Sequence, residues 1–326
     1  MNKQSTPKTT EAAARRLQAD VEAICLPHGR MVGTDGHEEA RRILSERLAE
    51  VGCVPFQGNT FDLPYQQDGI SFCNLVGVIR GRNPDLAPLL VGAHYDSVIP
   101  APCADDNAAA VAIALATAER ARKPGTLERD LIVAIFDAEE PPYFLSPGMG
   151  SRRFWHDQLG GTTIHAAIIM DLVGHDIPIE GMIPDALTGG GSAGPDTPWG
   201  ALKSLLFMTG AESHPDLAGL VSQTRTPEGL RLVATRNDYV GDMSDHEVFR
   251  KNGVPYFFLS CGHWEHYHTP TDTPDRLNYD KMARIADQVR ELLLGLDSRP
   301  LPRSGHTEQI SETLELESQC MREAFG

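Results

Sequence analysis

The stretch Leu89–Asn107, LLVGAHYDSVIPAPCADDN, decides how the chain is read. Its apolar residues Leu89, Leu90 and Val91 run unbroken into Gly92-Ala93, the pattern of a short buried strand. That strand delivers His94-Tyr95-Asp96 at its C-terminal end. After a short proline-containing loop, Asp105-Asp106-Asn107 opens an alanine-rich helix. Ligands gather beyond the carboxyl ends of strands in open α/β sheets. An imidazole and several carboxylates brought there point to a metal centre.

Working outward, Leu131–Phe136 (LIVAIF) is a continuous apolar run bounded by charge and reads as a central strand buried on both faces. Phe72–Val78, Ile164–Met170 and Val254–Leu259 read as further strands. Apolar spacing predicts helices over Thr10–Leu26, His37–Val51, Asn107–Ala121 and Tyr279–Leu296. Strands alternating with helices predict a layered α/β fold. Between Gly174 and Asp242 the pattern loosens, with short helical pieces expected at Ala201–Met208 and His214–Val221. This segment reads as an insertion over the strand ends, where lids and specificity loops occur. Residues 1–297 are read as one domain. The polar, acidic residues 298–326 read as a tail with one short helix near Ile310–Met321.

The 326 residues suffice for a large core, and 41% hydrophobic with 23% charged content is ordinary for a globular protein. A net charge of −16 argues against nucleic acid and anionic membrane as partners, and is compatible with a cationic substrate such as a free amino terminus. No apolar stretch approaches the roughly 20 residues needed to span a bilayer. The N-terminus lacks the apolar core of a secretory signal, so the cytosol is the expected compartment. The scattered cysteines form no C-x-x-C pair and read as reduced thiols.

Taken singly, each polar candidate has an ordinary structural account. Asp105-Asp106 and Asp171 suit helix caps, Glu139-Glu140 and His268 suit turns, and a strand-end histidine such as His94 is commonly structural. Jointly they end successive strands whose C-termini share one rim. Adjacent Glu139 and Glu140 diverge on an extended backbone, so one can face a metal while the other faces substrate.

The ordered set His94-x-Asp96, Ala104-Asp105-Asp106-Asn107, Glu139-Glu140, Asp171, Ser244-Asp245-His246 and Tyr267-His268-Thr269-Pro270-x-Asp272-Thr273 resembles the co-catalytic zinc exopeptidases of the M28 aminopeptidase family. The resemblance runs from about Gly29 to Leu296. It implies a three-layer α/β/α fold on a mixed, largely parallel sheet. It implies two zinc ions per chain, one held by His94 and Asp171, the other by Glu140 and His268, with Asp105 bridging them. Asp96 would support His94, Glu139 would be the general base, and Tyr267 would donate to the developing oxyanion. The Asp105–Asp106 peptide would be cis. The implied reaction is aminopeptidase hydrolysis of a peptide with a free N-terminus.

The chain departs from the family pattern at Cys103, where many members carry glycine. It departs again after Glu140, where PPYFLSPGMGS exceeds the usual link and places Tyr143 and Phe144 at the expected substrate mouth. Ser244-Asp245-His246-Glu247 reads more readily as a capping box than as catalytic. Gly190–Gly194, GGSAG, fits the serine-hydrolase elbow but lacks the strand before it and the helix directly after, so it reads as a loop. Two same-fold alternatives are a glutaminyl cyclase-like transferase with one zinc and a non-catalytic scaffold member. Retention of His94 and of both Asp105 and Asp106 favours two metals over the first, and a full ligand set argues against the second. The preferred residue, the aminopeptidase, carboxypeptidase or dipeptidase mode, and the oligomeric state stay open. The 174–242 segment and the tail are candidate contacts of a homodimer.

Overall fold

The computed structural model describes residues 7–123, 125–177, 203–302, 313 and 315–320. In chain order it contains α1 (Pro7–Ile24), α2 (Asp35–Glu50), β1 (Val54–Pro55), β2 (Asp62–Gln67), β3 (Ile70–Ile79), β4 (Leu89–His94), α3 (Ala109–Ala121), β5 (Leu131–Phe136), α4 (Gly150–Arg153) and β6 (Ala166–Met170). These are followed by β7 (Leu205–Thr209), α5 (Pro215–Gln223), β8 (Arg231–Ala234), α6 (His246–Lys251), β9 (Tyr256–Ser260) and α7 (Tyr279–Asp297). The strands form one 9-stranded sheet in the order β1-β3-β5-β4-β6-β9-β7-β8, with β2 paired to β3. Pairing is parallel across β5-β4-β6-β9 and between β7 and β8, and antiparallel elsewhere.

Two-residue alternation divides the strands between two apolar layers. Leu89, Val91, Leu131, Val133, Ile135, Ile168 and Met170 pack with Leu17, Leu44, Val111, Ile285 and Leu292 of α1, α2, α3 and α7. Leu90, Ile132, Phe136, Ile169 and Phe258 face the other way, against Phe154, Val248 and Phe249. The runs LLVGAH and LIVAIF have no polar face because both of their faces are covered. The expected three-layer α/β fold on a mixed sheet is therefore the one observed, with the parallel pairings concentrated at its centre.

Two expectations fail at the sheet edge. Residues 201–208 were expected to be helical, yet Leu205–Thr209 is a strand paired antiparallel with β9. Leucine and methionine suit a helix, but the unpaired edge of β9 overrides that weak preference. Leu205–Thr209 and Arg231–Ala234 thus extend the sheet and are not part of an insertion above it. Residues 178–202, including the Gly190–Gly194 run, lie outside the described residues. Of the tail, Leu301, Thr313, Leu316 and Cys320 are buried, and the Glu317 carboxylate accepts the Arg236 amide at 2.7 Å, so its described part packs on the fold. No helix among the described residues is long and apolar enough to cross a membrane.

Candidate metal centre

Register brings the chemistry together. His94 of β4 pairs with Phe136 of β5, and Met170 of β6 pairs with Leu259 of β9, so these strands end on one rim. Asp137–Glu140 comes directly after β5 and Asp171 directly after β6. Loop residue His268 comes in from beyond β9.

Two groups of potential metal donors form there, His94–Asp106–Asp171 and Asp106–Glu140–His268, with the donor atoms of each group within 4.8 Å of one another. His94 Nε2 lies 3.4 Å from Asp106 Oδ1 and 3.6 Å from Asp171 Oδ1. His268 Nε2 lies 3.2 Å from Asp106 Oδ2 and 3.3 Å from Glu140 Oε2. His94 Nε2, Asp106 Oδ2, Glu140 Oε1, Asp171 Oδ1 and His268 Nε2 are buried and have no hydrogen-bond partner. Buried polar atoms left without partners are costly and uncommon. Here they converge, and mixed imidazole and carboxylate donors are the set that Zn²⁺ accepts. The residues present therefore fit a pair of such ions.

The charge balance agrees. Burial pushes Glu140 up to about 8, with the Asp106 charge adding to it. Burial alone would lower His268, but Asp106 and Glu140 raise it to about 10. Asp106 is held below the usual carboxylate range, since His268 and His94 outweigh its burial. Glu139 is driven well above its ordinary value, chiefly by burial. It stands 3.7 Å from His94 Nε2 and belongs to neither donor group.

One assignment is corrected. Asp105 was expected to bridge the ions, but its carboxylate turns away from the cluster. Asp105 Oδ1 accepts the Gly174 amide at 2.6 Å and the His175 amide at 3.2 Å, and Oδ2 lies 2.6 Å from His175 Nδ1. Its neighbour Asp106 takes the shared position. The cause is local backbone shape. Cys103 is left-handed (φ 46°), and within the wide turn Ala104–Ala108 Asp106 is extended (φ −111°, ψ 85°), so the two carboxylates point to opposite sides. The cis peptide falls at Asp106–Asn107, one bond later than expected. Two consecutive acids carry no sequence mark of which one faces inward.

Buried groups hold this arrangement from behind. Asp96 accepts the amides of Glu139 (3.0 Å) and Glu140 (3.1 Å), and its Oδ1 lies 3.3 Å from His94 Nδ1. Asp272 accepts the amides of Asp105 (2.9 Å) and Asp106 (3.1 Å). Arg30, fully buried, donates to the carbonyls of Ile24, Tyr95, Pro102 and Cys103, tying the His94 turn to the Asp106 turn. His37 and Asp137 form a buried pair at 2.7 Å, and Asp137 also accepts the Cys73 amide. Arg30, the pairing of Asp137 with His37 and the clasping role of Asp272 were not singled out from the sequence. Their partners lie far away in the chain, and nothing local marks them.

A cavity of about 650 Å³ opens over the rim. The acids Asp106, Glu139, Glu140 and Asp171, with His268, form its polar side, and Phe144, Leu172, Phe207, Val240, Met243 and Phe258 its apolar side. No lysine or arginine among the described residues lines it. Tyr267 also borders it, with its ring stacked on His268 at 3.7 Å and on His263 at 4.1 Å. Burial raises the Tyr267 phenol above its ordinary value, so it keeps its proton. Phe144 reaches the cavity as expected. Tyr143 does not line it, and its ring packs edge-on against Phe72 at 4.9 Å. Cys103 is buried, and that burial pushes its thiol to about 12, which makes it a packing group. The Ser244–Glu247 capping box is absent, because the Glu247 carboxylate pairs instead with Arg152 at 2.6 Å.

The chain is similar to several known proteins. An uncharacterized protein of Escherichia coli K12, YfbL, is 28% identical over 247 residues, covering 66% of this chain and 69% of that protein. A Zn-dependent exopeptidase from Parabacteroides distasonis is similar with a TM-score of 0.64 at 17% identity, covering 88% of this chain and 98% of the other. Porphyromonas gingivalis glutaminyl cyclase is equally similar, with a TM-score of 0.64 at 18% identity over 87% of this chain and 97% of that one. These last likenesses establish the fold. The profile of Peptidase family M28 matches residues 74–293, which span β4, the Asp106 turn, Glu139-Glu140, Asp171 and His268, and the chain therefore belongs to peptidase family M28.

Proposed function

We propose that the chain is a zinc-dependent exopeptidase that removes the N-terminal residue of peptides. The observation that carries this reading is the pair of donor groups sharing Asp106, with Glu139 beside them but outside both. Two zinc ions per chain suit that set, one toward His94 and Asp171, the other toward Glu140 and His268. Zinc, when bound, supplies a Lewis acid and an acidified water. Glu139 takes a proton from the attacking water on its carboxylate and returns it to the leaving amine. Its carboxylate is buried beside the donors, 3.7 Å from His94 Nε2, which places it for this role. Asp96 positions both halves, supporting His94 on one side and the Glu139-Glu140 amides on the other. In this reading the Tyr267 hydroxyl donates to the developing oxyanion.

The lining supports the aminopeptidase mode. The acids of the cavity favour a cationic free amine. No lysine or arginine among the described lining residues is there to pair with a terminal carboxylate. The apolar side, with Phe144, Phe207 and Phe258, suits a large apolar side chain at the cleaved residue. No disulfide joins the described cysteines, which suits the cytosol. Glutaminyl cyclase activity on a single zinc is the rival reading, and the second complete donor group weighs against it.

The test is zinc stoichiometry together with a screen of aminoacyl-nitroanilides, N-blocked peptides and N-terminal glutamine peptides. The expected result is close to two ions per chain and release of apolar N-terminal residues, abolished by blocking the amine. Glu139→Gln should lower turnover by about 10²–10⁴-fold with zinc retained. One ion per chain with cyclisation of N-terminal glutamine would establish the rival instead.

A further inference from the structure

His94 ends β4, and the other donors stand on turns beyond the strand ends, each holding a non-glycine residue in the left-handed region: Cys103 (φ 46°), Ala138 (φ 54°), Leu172 (φ 54°) and His268 (φ 56°). Such conformations are unfavourable for side chains with a Cβ and persist only where the surroundings fix them. At the first three of these turns a repeated device does so, a buried carboxylate gripping two consecutive amides of another turn. Asp96 grips Glu139 and Glu140, Asp105 grips Gly174 and His175, and Asp272 grips Asp105 and Asp106.

We infer that Asp272 is a positioning residue for the metal centre, holding the shared carboxylate of Asp106 in place through its backbone. Asp272 lies in none of the donor groups, and each of its carboxylate oxygens is taken by one amide. Its own carbonyl accepts the Ala104 amide at 3.3 Å, which makes a third tie to the same turn. Two oxygens on two successive amides fix the direction of the peptide plane as well as its distance. The turn that carries Asp272 also carries His268, so one clasp sets both partners of the 3.2 Å approach between His268 Nε2 and Asp106 Oδ2. Asp106 belongs to both donor groups, and a rotation of its peptide would disturb both together.

The inference rests on the zinc reading, and a control within the same chain separates a positioning role from a merely structural one. Asp297 makes the same clasp at the opposite end of the strands, accepting the amides of Glu128 (2.8 Å) and Arg129 (2.9 Å). Asp272→Asn and Asp297→Asn each keep the side-chain shape and lose one acceptor. Zinc affinity is measured by chelator competition on the full, metal-stripped chain, beside its thermal midpoint and circular dichroism. Asp272→Asn should bind zinc about 10–100-fold more weakly. Asp297→Asn should match the wild type in zinc affinity while losing a comparable amount of metal-free stability. Unchanged affinity in Asp272→Asn, or an equal loss in Asp297→Asn, would overturn the inference and leave the zinc reading standing. Failure of the wild-type chain to bind zinc would overturn the zinc reading and this inference with it. Should Asp272→Asn not fold, Asp272→Glu, with both oxygens displaced by one methylene, is judged by the same criterion.

Discussion

At the N-terminal ends of β4 and β5, Asp130 lies 2.6 Å from Arg80 Nη1 and accepts the Gly81 amide, while Asp297 holds the Glu128 and Arg129 amides with the Arg129 charge close by. At the C-terminal ends of β4, β5 and β6, Asp96, Asp106, Glu139, Glu140 and Asp171 gather around the imidazoles of His94 and His268, and among the described residues no lysine or arginine forms an ion pair with them. Both ends use acids to grip amides. One end balances its acids with guanidinium groups, and the other leaves them in excess. Buried like charges repel strongly at low dielectric, so an uncompensated set persists where a cation supplied from solution completes it. The difference between the rims marks the functional end of the sheet without reference to any motif.

The most severe way to break this contrast is Asp106→Asn, which removes the one carboxylate common to both donor groups. Both zinc content, measured by elemental analysis, and turnover should be lost, whereas the fold judged by circular dichroism should remain. A smaller effect sharpens the contrast at His246, a rim imidazole whose Nε2 faces the Asn237 side-chain oxygen and the Gly241 carbonyl, both at 3.1 Å. Burial lowers its pKa to about 4. Above the unfolded value of about 6.5, both states are neutral and the group contributes nothing. As pH falls from there toward 4, the unfolded chain gains a proton that the folded chain refuses, so stability declines by up to about 3 kcal/mol. His246→Gln should flatten that part of the pH dependence, measured by urea unfolding across the window. The smallest effect is expected at the balanced rim. Asp130→Asn should cost about 1 kcal/mol of stability and leave zinc binding and turnover unchanged.

Much of the site was legible because acids and imidazoles close apolar runs that are themselves unmistakable. LIVAIF and LLVGAH admit few readings, and the residues at their C-terminal ends must lie on a shared rim. The choice between Asp105 and Asp106 was not legible. It depends on the left-handed Cys103 and on a grip from Asp272, which lies 166 residues beyond Asp106. The edge strands escaped for a related reason. Asp62–Gln67 contains Pro64 and alternates buried with exposed residues, as suits an edge, and its identity comes from pairing with β3. Leu205–Thr209 is likewise a strand because β9 offers it an edge. Local pattern fixes elements buried on both faces, and partners decide the rest.

Arg30 precedes the segment by which the family is recognised, residues 74–293, yet its guanidinium is inseparable from the turns of that segment. Replacing Arg30 by methionine in the intact chain would leave the buried carbonyls of Tyr95 and Cys103 without their guanidinium donor, each at a cost of about 1–3 kcal/mol. The smallest unit able to assemble this centre is therefore longer than its family signature and begins with the helices that deliver Arg30.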